Sequence, residues 1–332
     1  MNKWILVILI ILTIIGGICC CIVIGATIAA PSLGDSISEL LTPAPSPTPA
    51  PVTYDYTNIV VLENKGNEII DKLEIYKYPP QEINGVQNII SLEITPGNYQ
   101  QVQNTVGETI IKYEFLNINQ GEKITISEKG VVTVFPIIND LGQCQGEMIA
   151  GWTDPEEYIE SDHPKIIELA DNLSAGEITV CEKVRAYYDY IGISMTYKLD
   201  LEDRGALYAL ENKTGDCTEY SNLLIALCRA SGIPARGVMG FSYATDDDEI
   251  YSHQWVEVYF PGSGWLPVDP TFGQNNPEQY FAGLAPTHIM FNDYDELDKA
   301  YREQSSLYYL IWTSSGESNS EMTQIESMTI VK

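Results

Sequence analysis

GDCTEYSNLLIALCRASGIPARGVMGF, residues 215–241, reads as a helix that begins at a cysteine and runs on into a strand. Asp216 is a good N-cap. Tyr220, Leu223, Leu224 and Leu227 recur on one helical face over 218–231. Gly232 and Pro234 stop the helix, the glycine as C-cap and the proline just beyond. Cys217 therefore falls in the first turn, where backbone N–H groups are unpaired and the dipole end is positive. Both features favour thiolate, the nucleophilic form of cysteine. The Cys217 N–H could also donate to an oxyanion formed on attack. Gly215, just ahead, would allow a substrate backbone to approach closely.

Two later segments supply partners for a thiolate. In HQWVEVYF (253–260), Gln254, Val256, Val258 and Phe260 alternate toward a core, which leaves His253 on the opposite face. A turn at 261–264 leads into a second strand, 265–269. A four-residue turn would pair Phe260 with Trp265 and set Asp269 opposite Val256. A bulge near Pro267 is then needed to bring the carboxylate to His253. So placed, Cys217 is the nucleophile, His253 the general base, and Asp269 the group that holds the imidazole and favours its cation. Taken singly, each has a plainer reading: a structural thiol, a core histidine, a turn residue before Pro270. Their combination outweighs those readings. The chain has two further histidines. His163 precedes Pro164 in an expected loop without an evident partner, and His288 is the fallback base.

Together these segments resemble the core of the transglutaminase-like superfamily, over roughly 162–291. The motifs are Gly-x-Cys entering a helix, Arg-Ala-x-Gly-Ile-Pro-Ala-Arg (229–236) closing it, His-x-Trp on a strand, and Asp-Pro-Thr (269–271) after a tryptophan. The resemblance implies an α+β, papain-like fold and a catalytic triad of Cys217, His253 and Asp269. It implies that Trp255 is a structural aromatic after the histidine, and that Tyr197 is an upstream side chain assisting the oxyanion. It implies protein or peptide substrates. It does not fix the acceptor. Water gives a hydrolase of amide or isopeptide bonds, a lysine amine gives protein-glutamine γ-glutamyl transfer, and loss of chemistry would leave an envelope scaffold. Hydrolysis is the first expectation.

The remaining chain divides by composition. Residues 4–30 carry no charge, and a bilayer-spanning helix needs about 20 apolar residues. Lys3 precedes this stretch and no further Lys or Arg follows until Lys65. A single-pass anchor over 1–30, with a cytoplasmic N-terminus and an extracytoplasmic remainder, is expected. A cleaved signal peptide is the rival reading. Residues 31–53 form a Pro-rich spacer, 54–146 a small β-sandwich-like domain, 147–300 the catalytic domain and 301–332 a C-terminal extension, with at most an added strand. A net charge of -28 argues against nucleic acid as a partner. Cys144 and Cys181 could pair or remain free, and Cys228 reads as a buried small hydrophobe. No metal or other cofactor is expected. The acidic run at 246–249 offers oxygens to Ca²⁺ but lacks a full ligand pattern, so a solvated loop tip is expected there.

Overall fold

The computed structural model describes residues 49–331, apart from 104–106, 139–140, 143, 200–201, 245–248, 294–307 and 315–321. The expected anchor, most of the spacer and most of the acidic run lie outside the described residues. No helix among the described residues is long and apolar enough to cross a membrane.

The N-terminal part consists of six strands: β1 (Val52–Asn64), β2 (Ile70–Lys77), β3 (Gln87–Thr95), β4 (Gln100–Gln103), β5 (Thr109–Ile118) and β6 (Lys123–Val134). Their inward residues alternate with period two, as a half-buried pleat requires. Tyr54, Tyr56, Val60 and Leu62 of β1 and Ile124, Ile126, Val132 and Val134 of β6 are all buried in one core with Leu73, Ile75 and Tyr113 of the facing sheet.

The structure corrects the expected boundaries. The sandwich is not complete within 54–146, and 301–332 is no separate extension. β13 (Tyr308–Ser314) and β14 (Met322–Val331) each return to cap one sheet. The sheet orders are β14–β1–β6–β3 and β13–β2–β5–β4. Without these strands β1 and β2 would be open edges, which folded proteins cover or blunt. Everything between β6 and β13 is thus an insertion into the sandwich.

That insertion holds α1 (Pro164–Leu173), α2 (Val180–Ser194), β7 (Thr196–Tyr197), α3 (Gly205–Asn212), β8 (Thr214–Gly215), α4 (Cys217–Ala230), β9 (Ala235–Ala244), β10 (Glu249–Phe260), β11 (Gly264–Val268) and β12 (His288–Asp293). The antiparallel sheet runs β11–β10–β9–β12. His163 is not in an idle loop: it caps α1, its Nδ1 accepting from the Lys165 N–H at 3.2 Å, with Pro164 at the position where a helix start tolerates proline. Contrary to the one-sided face expected, α4 is buried all round, from Glu219 to Arg229. Its apolar residues pack on Val256, Val258 and Phe260 of β10 and on Ile166, Val184, Tyr187 and Ile191 of α1 and α2. A disulfide joins Cys144 to Cys181 at the start of α2.

Sandwich and insertion share a core, because Phe241, Tyr243, Ile289 and Phe291 of β9 and β12 lie in the sandwich cluster. Polar contacts fasten the same seam. The Gln87 side chain bonds both backbone groups of Met290, at 2.9 Å each. Tyr54 Oη donates to the Pro286 carbonyl at 2.8 Å. Within the sandwich, Lys77 of β2 pairs with Glu128 of β6 at 2.9 Å, both side chains wholly buried, and Tyr56 Oη donates to the same carboxylate. Removing one partner of such a pair leaves a buried, uncompensated charge, costing about 3–5 kcal/mol. Lys77→Met is therefore expected to lower stability to urea by about that amount. Lys77→Met with Glu128→Leu should recover most of it. An unchanged denaturation midpoint in the single variant would show that the pair does not bridge the sheets.

Candidate active site

The thiol is positioned by the start of α4. Asp216 is its N-cap, the carboxylate accepting from the Thr218 N–H at 2.9 Å. Glu219 completes a capping box by accepting from the Asp216 N–H at 3.1 Å. Its other oxygen accepts from the Arg204 N–H at 2.9 Å, so one buried side chain ties the 202–204 loop to the turn that carries Cys217. Burial raises the Glu219 carboxyl to about 7, opposed by these N–H donors and assisted by the charges of Asp216 and Asp203. The pattern Asp-x-x-Glu at 216–219 is the sequence signature of such a box, and it went unused in the sequence reading. At the other end Gly232 adopts φ +71°. The Gly232 N–H bonds the Arg229 carbonyl and the Ile233 N–H that of Cys228, both at 2.9 Å, which is a Schellman stop.

Gly215 has a different role from the one expected. A Cβ there would lie 2.3 Å from the Cβ of Glu219. The space that a substrate backbone was expected to use is filled by the capping glutamate. Two arginines of the 229–236 motif also gain roles. Arg229 holds the Asp154 and Ala235 carbonyls and the Glu156 carboxylate. Arg236 pairs with Glu257 and lies against the Trp152 and Trp265 rings.

The hairpin delivers the carboxylate by a register one residue from that expected. Phe260 pairs with Gly264 across a three-residue turn, and Val256 pairs with Val268. Continuing that register, Asp269 lies across from Trp255 and so on the same face as His253. The expected register would have sent it to the other face, since a one-residue slip reverses every side chain. No bulge at Pro267 is needed; the β10–β11 ladder is continuous there. His253 Nε2 lies 2.8 Å from Asp269 Oδ2. The Cys217 thiol is near enough to the His253 ring to help hold its charge. With Nε2 engaged by Asp269, the thiol is left with Nδ1.

Asp269 is fully buried and every face of its carboxylate is engaged. Oδ1 accepts from the Thr271 and Phe272 N–H groups at 2.9 and 3.0 Å. Oδ2 accepts from His253 and, at 3.0 Å, from His288 Nε2. Burial alone would raise this carboxyl, but the two histidines hold it well below the usual range. Burial likewise presses His253 down; the Asp269 charge and hydrogen bond, then the Cys217 thiol, overcome it and hold the ring at about 10. Phe272 lies edge-on to the ring with centroids 5.0 Å apart, and Trp255 stacks at 6.0 Å. Tyr197 stands in β7 in register with Gly215, two residues ahead of Cys217. It is half exposed, and burial followed by the charge of Cys217 keeps its phenol at about 12, so it remains an O–H donor. Cys228 is wholly buried, and burial pushes its thiol well above the ordinary value.

His253, Asp269 and His288 offer three ligand atoms within 4.8 Å of one another. As arranged, both Nε2 atoms address one carboxylate oxygen in hydrogen bonds, so the group is complete as a proton-holding network.

A family model described as the transglutaminase-like superfamily matches residues 167–270, a span that includes Cys217, His253 and Asp269. Residues 167–270 are a transglutaminase-like superfamily domain. An uncharacterized Bacillus subtilis protein, YebA, is 32% identical over 154 residues, which are 38% of this chain and 21% of that protein. A Pseudomonas aeruginosa protein-glutamine γ-glutamyltransferase is 34% identical over 85 residues, 23% of this chain and 13% of its own. The matched region is thus a minor part of each relative. A crystal structure from Cytophaga hutchinsonii, of a protein with a provisional cysteine-protease name, superposes with a TM-score of 0.60 at 17% identity. It covers 85% of this chain and 91% of its own. At that identity the likeness is one of fold, and at that coverage it takes in more than the transglutaminase-like domain.

The His253 and Asp269 shifts set a pH test. A ring held above its ordinary value stabilises the fold fully below about 6.5, and that contribution is lost as pH rises through the folded value. With Asp269→Asn only the burial effect and the thiol remain, and burial favours the uncharged ring. Histidine ¹⁵N NMR is expected to show His253 titrating near 10 in the parent and below about 6.5 in the variant. The same titration in both proteins would mean that Asp269 does not hold the imidazolium.

Proposed function

We propose that the transglutaminase-like domain is a cysteine acyl-transfer enzyme that hydrolyses amide or isopeptide bonds of protein or peptide substrates. The observation that carries this is the His253 ring, hydrogen-bonded at Nε2 to Asp269 and held charged in part by the Cys217 thiol at a helix start. In the first half-reaction the Cys217 sulfur attacks the substrate carbonyl carbon. The carbonyl π electrons move to oxygen, where the Cys217 N–H and the Tyr197 O–H can donate. Collapse of the tetrahedral species expels the amine, which takes the proton from His253 Nδ1. In the second half-reaction His253 removes a proton from water as it attacks the thioester, and the carboxylic acid leaves with Cys217 restored.

A second reading, transfer of the acyl group to a lysine amine in place of water, is favoured by the name of the Pseudomonas relative. We place the domain outside the cytoplasm on a single N-terminal anchor. The uncharged stretch at 4–30 and the Cys144–Cys181 disulfide support this, since such bonds persist in oxidising compartments.

An electrophilic cysteine probe applied to the full chain is expected to label Cys217 far faster than Cys228. His253→Ala should slow that labelling on the order of 100-fold. Equal labelling of the two thiols, indifferent to His253, would remove the triad. A glutamine-containing peptide incubated with and without a primary amine then separates the readings. Cleavage at an amide or isopeptide bond supports hydrolysis; ammonia release with amine incorporation supports transfer.

A further inference from the structure

His288 lies in the site, yet neither half-reaction uses it. It sits at the start of β12, buried, with its Nε2 on the same Asp269 oxygen that holds His253. A carboxylate has about four lone-pair sites. Here two are filled by backbone N–H groups on Oδ1 and two by imidazoles on Oδ2. The terminal torsion of an aspartate is otherwise soft. With His253 alone on Oδ2, the carboxylate could swing with the ring it is meant to hold.

The two rings are not equivalent. Their centroids are 5.4 Å apart, close enough that two cations would repel strongly in a buried setting. His253 keeps the positive charge because it faces the thiol as well as Asp269. Burial and the nearby His253 push His288 the other way, below its ordinary value, although Asp269 and the Ala285 carbonyl oppose this. A neutral imidazole has one N–H. Donating it to Asp269 through Nε2 leaves Nδ1 as acceptor, and Thr287 Oγ1 lies 3.1 Å from Nδ1. The titratable groups facing His288 are then Asp269, His253 and the Tyr280 ring; Trp255 and Phe272 close the remaining sides.

The backbone under His288 is firmly set. Gln87 clamps Met290 from the sandwich. Gly240 lets β12 approach β9 so closely that a Cβ there would fall 2.0 Å from the Ile289 carbonyl oxygen.

We propose that His288 is a positioning residue: its Nε2–H fixes the Asp269 carboxylate, so that Oδ2 holds the His253 ring with Nδ1 toward Cys217. His288 keeps its proton throughout and touches no reacting atom. The inference rests on the triad reading above.

The test compares His288→Gln, which retains an N–H donor, with His288→Met, which has similar length and none. Alkylation of Cys217 by iodoacetamide in the full chain at pH 7 is followed by peptide mass spectrometry. The Met variant should react roughly tenfold slower than the parent, and the Gln variant within roughly threefold of it. Histidine ¹⁵N NMR on the parent should show His288 as the Nε2–H tautomer. In the Met variant the His253 imidazolium signals should broaden or split as the ring loses its single orientation. Three outcomes overturn the proposal: an Nδ1–H tautomer at His288 in the parent, parental reactivity in the Met variant, or Gln and Met variants equally slow. The tautomer measurement decides even where a variant fails to fold. If the parent's Cys217 reacts no faster than in His253→Ala, the triad itself has failed. If it reacts faster but is indifferent to position 288, only the positioning role has.

Discussion

A carboxylate with no solvent exposure is expensive to bury, and Asp269 is the charge around which this site is organised. Removing an ion from water costs several kcal/mol even after relaxation, and the offset must come from hydrogen bonds that each have to be delivered by structure. Asp269 receives them from three places: the turn at 271–272, β10 and β12. No single element could supply them. The end of β11, the bend after it and the return of the chain as β12 are therefore not independent features. Each must be in place for the charge to be tolerated, and the charge in turn holds the two imidazoles.

The sandwich belongs to the same arrangement. It shares a core with β9 and β12, and its Gln87 and Tyr54 fasten the segment that carries His288. The sheet that bears the histidine has α4 against one stretch of its face and the sandwich against another. Its position is thereby set from two directions, which suits chemistry sensitive to small displacements.

The sequence carried the local features well. The helix stop at Gly232, the N-cap at Asp216 and the pairing of β10 with β11 follow from residue chemistry within a few positions. What local chemistry could not show was anything decided at long range. The face of Asp269 turned on a single residue of hairpin register, because Gly264 closes the turn one position earlier than a four-residue loop would. The meaning of Gly215 depended on where Glu219 folds back. His288 was legible only as a spare base, since its link to Asp269 joins residues from strands not adjacent in the sheet. The last two strands were hidden for the same reason: a strand that pairs with the first one looks locally like any polar tail with a few β-branched residues.

That closing of the sandwich bears on how the protein is made. Asp55 pairs with Val331, so β1 gains its outer neighbour only once synthesis has reached β14. Chains are extended at about 5–20 residues per second, and over that interval β1 and β2 present bare edges. The inserted helices are local in sequence and can form early, whereas the layer that fastens β12 cannot be completed until β14 emerges. Maturation of the site around Asp269 is thus coupled to synthesis of β13 and β14, and a chain ended before them would carry the thiol without the full sandwich that packs on β12.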